Sequence, residues 1–362
     1  MKYIDEYRDP EIARKLVAAI GRLAGEAGRG ITVMEVCGSH TYAIGRHGIR
    51  SLLPGSIRLV SGPGCPVCVT PVQDIDAALY LAGLPGVIFL TFGDMLRVPG
   101  TGFNSLQKVR AAGADVRIAS SASESLAIAR ENPGKEVVFM GIGFETTTPT
   151  VASMVKTLRA QGVRNVSVFC AHKVVPPAIG ALLDDPGLAL DAFLCPGHVS
   201  TILGTQAYGE IPRRGCAAVI TGFEPVDILE GIYLILGQIV RKEYFVEIQY
   251  KRGVSPRGNP RARALMDEVF GPVDARWRGL GVIPASGLAF REEYRDFDAR
   301  GRFEIPEIQS REETACRCGE ILKGMIAPPE CPLFGKACTP DNPVGPCMVS
   351  HEGTCSAYYI CS

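Results

Sequence analysis

The chain has 362 residues, 46% of them hydrophobic, and its 38 Lys and Arg residues balance 38 Asp and Glu residues. This length and apolar content exclude a disordered chain, and the balanced charge argues against nucleic acid as a partner. The longest apolar helical stretch, residues 228–240, is too short to span a membrane and carries Glu230 and Gln238. Because residues 1–9 are charged rather than signal-like, a cytoplasmic protein is expected.

The predicted elements begin with a helix at the N-terminus, which Asp9 can cap and in whose first turn Pro10 fits. After it, short β-branched runs alternate with helical stretches in a βαβ rhythm. Strands are predicted near residues 31–36, 57–60, 87–92, 115–119, 136–142, 165–170, 191–194, 217–221 and 245–250. Helices are predicted near residues 72–82, 150–160, 199–208 and 228–241. This alternation predicts an α/β fold with two similar, doubly wound parallel-sheet domains.

The alternation divides near residue 120, which gives an α/β domain I at residues 29–120 and an α/β domain II at residues 121–242. Residues 1–28 form the N-terminal helix, and residues 243–362 form a smaller cysteine-rich domain. This last region is rich in Gly and Pro and lacks enough apolar periodicity to hold itself together. We therefore expect a metal to crosslink it.

Seven of the thirteen cysteines lie between Cys316 and Cys361. Soft thiolates in this number select zinc or an iron–sulfur cluster. The gaps of six, eight and twelve residues between some of them fit paired zinc knuckles poorly, so the spacing favours a cluster over zinc. A cubane cluster needs four ligands, which leaves cysteines for a redox-active pair beside it. In contrast, Cys170, Cys195 and Cys216 lie in apolar segments and are interpreted as core residues.

Three further cysteines follow the first two predicted strands. Cys37 opens the sequence CGSH directly after the first strand, at the sheet edge where open α/β folds place ligands. Cys65 and Cys68 lie in GPGCPVC, at or near the start of a helix, where the helix dipole favours thiol exchange. Half of a zinc knuckle is the alternative for this Cys-x-x-Cys pair, but a partner pair with knuckle spacing is missing. The glycines match no phosphate-binding loop, so nucleotide binding is not predicted.

Histidines and two glutamates also follow predicted strands. His40 in CGSH and His198 in CPGH are placed to line a crevice, where imidazole can donate, accept or ligate, whereas ordinary hydrogen bonding is the better interpretation of His47 and His351. Glu145 and Glu224 each lie in a GFE turn. They are either site carboxylates or acceptors that stabilise their loops.

Together, CGSH, GPGCPVC, GFETTTP, PGHVSTILG, TGFEP and the tail from CRCG through CPLFGKAC to CMVSHEGTCSAYY resemble the HypD family of hydrogenase maturation proteins. The resemblance spans nearly the whole chain, and Cys361 is additional to its pattern. It implies two α/β domains and a third domain that holds a 4Fe-4S cluster, with the N-terminal helix packed on that domain. The cluster ligands that it implies are Cys316, Cys331, Cys338 and Cys355. Cys318 and Cys347 would form an adjacent redox pair, similar to the arrangement in ferredoxin:thioredoxin reductase.

The resemblance also implies a complex with the chaperone HypC and the cyanide donor HypE, in which a monomer of this chain helps to build an Fe(CN)2CO group. Cys37 matches the family cysteine that holds this iron. Cys65 and Cys68 would relay electrons from the tail pair, with His40, His198 and Glu145 nearby. The implied role is that of a scaffold and electron relay rather than of a conventional turnover enzyme. The alternatives are a cluster-dependent thiol–disulfide reductase acting on other proteins and a non-catalytic, zinc-stabilised binding module.

Overall fold

The computed structural model of the protein describes residues 5–312 and 315–361. Its strands are β1 (Ile31–Glu35), β2 (Ile57–Ser61), β3 (Val87–Thr91), β4 (Asp115–Ile118), β5 (Glu136–Gly141), β6 (Val166–Cys170), β7 (Ala192–Pro196), β8 (Ala217–Thr221), β9 (Val246–Ile248), β10 (Phe270–Trp277) and β11 (Gly281–Phe290). Its α-helices are α1 (Pro10–Ala27), α2 (Gly38–Arg46), α3 (Ile49–Leu52), α4 (Pro66–Val69), α5 (Val72–Ala82), α6 (Leu106–Ala111), α7 (Glu124–Glu131), α8 (Thr148–Ala160), α9 (Val175–Leu183), α10 (Gly197–Leu203), α11 (Glu210–Arg213), α12 (Pro225–Arg241), α13 (Pro260–Val269), α14 (Ala299–Arg302), α15 (Cys318–Leu322) and α16 (Thr354–Cys361). Short 3-10 helices lie at Asp5–Arg8, Gly93–Arg97, Thr101–Phe103, Gln206–Tyr208, Glu292–Phe297, Pro328–Glu330 and Pro346–Met348.

Two parallel sheets form the body of the molecule. The first sheet has five strands in the order β2-β1-β7-β8-β9, and the second has four strands in the order β4-β3-β5-β6. All pairs within both sheets are parallel, as expected when helices connect successive strands. The predicted α/β fold class with parallel sheets is therefore confirmed.

The sheets do not follow one another along the chain. The first sheet takes β1 and β2 from the start of the chain and β7 to β9 from the region after residue 190, and the second sheet is built from the strands between them. Strand pairing also crosses the predicted boundary near residue 120, because β3 pairs with both β4 and β5. The strand order thus groups the chain differently from a division into residues 29–120 and 121–242.

The N-terminal helix forms as its sequence predicts. The Asp9 carboxylate accepts hydrogen bonds from the Glu11 and Ile12 amides at 2.7 and 3.2 Å, and Gly28 ends the helix in the left-handed region at φ 63°. We predicted that this helix packs with the C-terminal domain, but its main partner is α12. Apolar residues of both helices pack against one face of the first sheet and form a hydrophobic core with its strands.

A hairpin that we did not predict follows α13. Strands β10 and β11 pair in antiparallel register, from Phe270 opposite Phe290 to Trp277 opposite Gly281. The Trp277 indole N–H donates to the Ser286 hydroxyl at 2.8 Å inside the fold. Gly and Pro interrupt the alternation of apolar and polar residues here, so the segment does not look like strands in the sequence. No helix in the described ranges 5–312 and 315–361 is long and apolar enough to cross a membrane.

Candidate functional site

Cys37 lies where β1 ends and α2 begins, at the carboxyl edge of the first sheet. Its thiol is buried, and its backbone N–H donates to the Glu35 carboxylate at 3.2 Å. The Gly62–Cys68 loop, which follows β2, lies against it: a Cβ atom on Gly64 would be only 2.2 Å from the Cys37 nitrogen. Only glycine permits this approach, which places the two predicted cysteine sites side by side.

The Cys65 and Cys68 side chains are joined in a disulfide at the start of the short helix α4. The Cys68 N–H points at the Cys65 sulfur, 3.2 Å away. Both side chains are almost fully buried. The disulfide is therefore shielded from bulk water.

Six tail cysteines converge on one cavity. Its lining contains Cys316, Cys318, Cys331, Cys338, Cys347 and Cys355. The sulfurs of Cys318 and Cys347 are 2.7 Å apart, which brings the two residues of the predicted redox pair together. Apolar side chains, including Ile321, Phe334 and Met348, form the rest of the wall. Cys361 lies outside this group, with its sulfur beside Gly45 of α2.

The donor set of this cavity has the chemistry that an iron–sulfur cluster takes, because several soft thiols face a common apolar wall. Within the described part of the chain, no group of three or more His, Cys, Asp or Glu side chains is arranged to hold one metal ion.

Helix α4 and the residues after it contact the tail on one side and the β10–β11 hairpin on another. Helix α4, which contains Cys68, packs against the Pro346–Met348 turn that contains Cys347. The buried Arg278 side chain donates from Nε to the Thr70 carbonyl at 2.9 Å, and its backbone N–H donates to Val69 at 2.8 Å. The helix that contains Cys68 thus lies against the turn that contains Cys347.

Glu352 is a site residue that our sequence analysis missed. It belongs to the tail, yet its carboxylate accepts a hydrogen bond from Ser39 at 2.7 Å, and a Cβ atom on Gly38 would lie 2.4 Å from the Glu352 carbonyl oxygen. Burial raises the pKa of the Cys37 thiol to about 12, and the nearby Glu352 charge adds to this shift. The residue lies inside the tail motif CMVSHEGTC, in which we considered only the cysteines and His351.

The predicted histidines meet at the Phe223 ring, at the carboxyl ends of β7 and β8. His40 is buried, its Nε2 lies 3.0 Å from the Gly222 carbonyl, and its Nδ1 has no partner among the described residues. Burial lowers the His40 pKa to about 4, so the ring is neutral at pH 7. His198 is exposed and stacks on Phe223 with ring centroids 4.0 Å apart.

The two GFE turns differ in environment. Glu145 is buried and accepts the Val175 N–H at 3.0 Å, while its Oε2 has no partner among the described residues. Glu224 instead begins α12, where the Asp227 carboxylate accepts its N–H at 3.1 Å, and its own carboxylate pairs with Arg8. For Glu224, the loop-stabilising alternative is the one that the structure supports.

Replacing Glu145 with glutamine is expected to stabilise the protein at pH 8 by up to about 3 kcal/mol. Burial raises the Glu145 pKa from 4.5 to about 7, so the folded protein holds a proton that the unfolded chain has already lost between these values. The free energy of unfolding of the parent protein therefore falls as the pH rises through this window. Glutamine does not titrate and still offers an acceptor to Val175. Denaturant unfolding of both proteins between pH 5 and 8 measures the difference, and parallel pH profiles would contradict it.

Comparison with known proteins assigns the family. A family model named HypD, described as "Hydrogenase formation hypA family", matches residues 11–362. The chain belongs to the HypD family. The hydrogenase maturation factor HypD of Azotobacter vinelandii is 47% identical over 99% of this chain and 96% of its own length. The protein of that name from Escherichia coli K12 is 43% identical over 99% of this chain and 98% of its own length.

In this HypD family member, the predicted site residues form a chain of neighbouring groups. The Cys37 loop contacts the Cys65–Cys68 loop, and the Cys65–Cys68 loop in turn contacts the tail cavity. His40 and His198 lie beside the same strand ends as Cys37, whereas Glu145 follows β5 in the second sheet. The roles of these residues in chemistry stay predictions.

Proposed function

We propose that this HypD family member is a hydrogenase maturation factor that works as a scaffold and thiol relay during assembly of an Fe(CN)2CO group. The observation that carries the proposal is that the segment with the Cys65–Cys68 disulfide packs both against the tail turn that contains Cys347 and against the backbone of Cys37. The names of the relatives support the maturation role, because they match this chain over nearly its whole length. The partners that fit are a HypC-type chaperone and a HypE-type cyanide donor.

A 4Fe-4S cluster would be held by Cys316, Cys331, Cys338 and Cys355, which face the tail cavity. When bound, such a cluster supplies electrons one at a time. The chain itself then provides a dithiol beside it, since the Cys318 and Cys347 sulfurs are in contact and the cavity wall around them is apolar.

The proposed relay is a thiol–disulfide exchange between two cysteine pairs. A thiolate of the Cys318 and Cys347 pair attacks one sulfur of the Cys65–Cys68 disulfide, and its partner thiol then resolves the mixed disulfide. Two electrons and two protons pass to Cys65 and Cys68, which become thiols, and the tail pair becomes a disulfide. Packing of α4 against the Pro346–Met348 turn supports this exchange, because it brings the segments that contain Cys68 and Cys347 together.

Cys37 is the proposed ligand for the iron that is being assembled. A soft thiolate binds low-spin iron and leaves other positions open for small ligands. Since burial disfavours the free thiolate, iron binding must displace the thiol proton. The neutral His40 ring and the Glu352 carboxylate lie near this position and are proposed to orient or stabilise the substrate iron.

Changing Cys65 to alanine is expected to leave cluster content unchanged and to abolish the cyanide and carbonyl bands of the assembled iron, because no disulfide is left to accept electrons. Infrared spectroscopy of the anaerobically assembled complex with the HypC-type partner measures this. Cys216→Ala is the matched control, since its buried thiol lies just before β8, at the opposite end of the strand from the site, and donates to the Leu190 carbonyl at 3.3 Å. A normal yield of cyanide-bearing iron in Cys65→Ala would refute the relay.

The alternative function, a cluster-dependent reductase for disulfides of other proteins, needs thiols that a protein substrate can reach. Cys65, Cys68, Cys318 and Cys347 are each at most 5% exposed, which disfavours this function. Reduction of a model protein disulfide, measured with and without Cys37, distinguishes the two functions, because only the scaffold requires that thiol.

A further inference from the structure

A second cavity lies away from the thiol path, at the carboxyl end of β6. Its volume is about 290 Å³. Four parts of the fold line it: the end of β6 with the following residues up to Lys173, the start of α5 near Asp74, the β10 and β11 hairpin, and the start of α14 with Asp298 and Arg300. Cavities between structural units at the carboxyl ends of parallel strands are the usual places for small ligands in α/β proteins.

Lys173 is the unusual residue of this cavity. It is only 4% exposed, and its ammonium group forms an ion pair with Asp74. The nearest carboxylate oxygen, on Asp74, is 3.8 Å away, which is too far for a hydrogen bond. Burial lowers the pKa of the Lys173 ammonium group. The negative charge of Asp74 raises this pKa, but by less than burial lowers it. A buried ammonium group held by one long ion pair keeps N–H donors available for a ligand.

The carboxylates that line the cavity are already engaged. Asp74 accepts a hydrogen bond from the Arg300 guanidinium at 2.7 Å. Asp274 accepts the Ala285 N–H at 3.0 Å, and Asp298 accepts the Arg300 N–H at 2.9 Å. Arg276 also lines the cavity, and within residues 5–312 and 315–361 it has neither a hydrogen bond nor an ion pair. Each of the three carboxylates is thus already paired with a donor of this chain.

Because the buried Lys173 ammonium group faces this cavity and its pair with Asp74 is too long for a hydrogen bond, we propose that the cavity binds a small molecule through an oxyanion group, a carboxylate or a phosphate, held by Lys173 with help from Arg276. A volume of about 290 Å³ suits a compact metabolite better than a nucleotide. Charge-assisted hydrogen bonds from an ammonium and a guanidinium group to such oxygens are strong and directional. This site is separate from the thiol path and does not depend on the function proposed above.

The chain carries its own reporter for this site. Trp277 is the one tryptophan of the sequence, and the Lys173 nitrogen lies 6.0 Å from its ring. Titration of the full-length protein with inorganic phosphate or with succinate, at constant ionic strength, is expected to change the Trp277 fluorescence in a saturable way. If the fluorescence change saturates with phosphate alone, the ligand group is a phosphate, and if it saturates with succinate alone, the group is a carboxylate.

Lys173→Met keeps the aliphatic length and removes the charge, so it is expected to raise the dissociation constant of the binding probe at least about tenfold. Lys156→Met is the matched control, because that lysine pairs with Glu268 on the surface and is expected to bind the probe like the parent protein. Absence of saturation with both probes, or an unchanged dissociation constant in Lys173→Met, would overturn the proposal. If circular dichroism shows that Lys173→Met does not fold, the same titration is made with Arg276→Gln, at an exposed residue. Weaker binding of the probe by this variant supports the site, and unchanged binding rejects it.

Discussion

Replacing Cys338 with serine is expected to remove the iron–sulfur cluster and to loosen the C-terminal region. Cys338 lines the tail cavity, and its sulfur also accepts the Val344 N–H at 3.3 Å, so the residue joins the proposed cluster to the local backbone. A hydroxyl is a harder and less acidic ligand than a thiol and does not replace a thiolate on iron. Iron and labile sulfide are expected to fall from about four atoms of each per chain to near background.

The same substitution tests whether the tail depends on its metal. The region from Cys316 to Cys361 contains only short helices and turns, so the binding energy of the cluster is expected to supply much of its stability. Limited proteolysis of Cys338→Ser should therefore cut this region while the two parallel sheets stay resistant. Cys361→Ser is the matched control, because its sulfur lies outside the cavity beside Gly45. Equal iron content in both variants would show that Cys338 is not a ligand.

The sequence allowed prediction of local structure but not of strand order. Each predicted strand has a counterpart, because alternating β-branched and helical runs report the local environment directly. Pairing of β1 with β7 joins Val33 to Ala192, and no pattern in either segment indicates a partner so distant along the chain. We placed a domain boundary near residue 120 on the assumption that strands close together in the chain belong to one sheet. The chain instead returns to the first sheet with β7, β8 and β9.

Prediction of the site had a similar limit. Cysteines stand out in a sequence because their chemistry is distinctive, and six of the seven in the tail line one cavity. Glu352 and Phe223 were missed because a glutamate and a phenylalanine are ordinary residues until the fold places them beside Cys37 and between two histidines. The Cys65–Cys68 pair and the Pro346–Met348 turn are also far apart in the chain, so their contact emerges only from tertiary packing.

Replacing Cys37 with alanine is expected to abolish assembly of the Fe(CN)2CO group, with loss of hydrogenase activity by at least about a hundredfold in a maturation assay. The side chain is the one thiol at the end of β1, and a soft thiolate is the donor that low-spin iron prefers. Cluster content is expected to stay unchanged, because Cys37 lies outside the tail cavity.

The matched control is Cys195→Ala, which removes a buried thiol from the end of β7, the strand beside β1. Both substitutions delete one buried sulfur and are expected to cost about 1 kcal/mol of folding stability, so a difference between them reports chemistry rather than packing. Infrared spectra should show cyanide and carbonyl bands for Cys195→Ala and none for Cys37→Ala. If both variants show the bands, then Cys37 does not hold the iron and the scaffold role must rest on another residue. If both lose them with normal cluster content, the effect comes from packing at this edge of the first sheet, and the thiol of Cys37 has no special part in it.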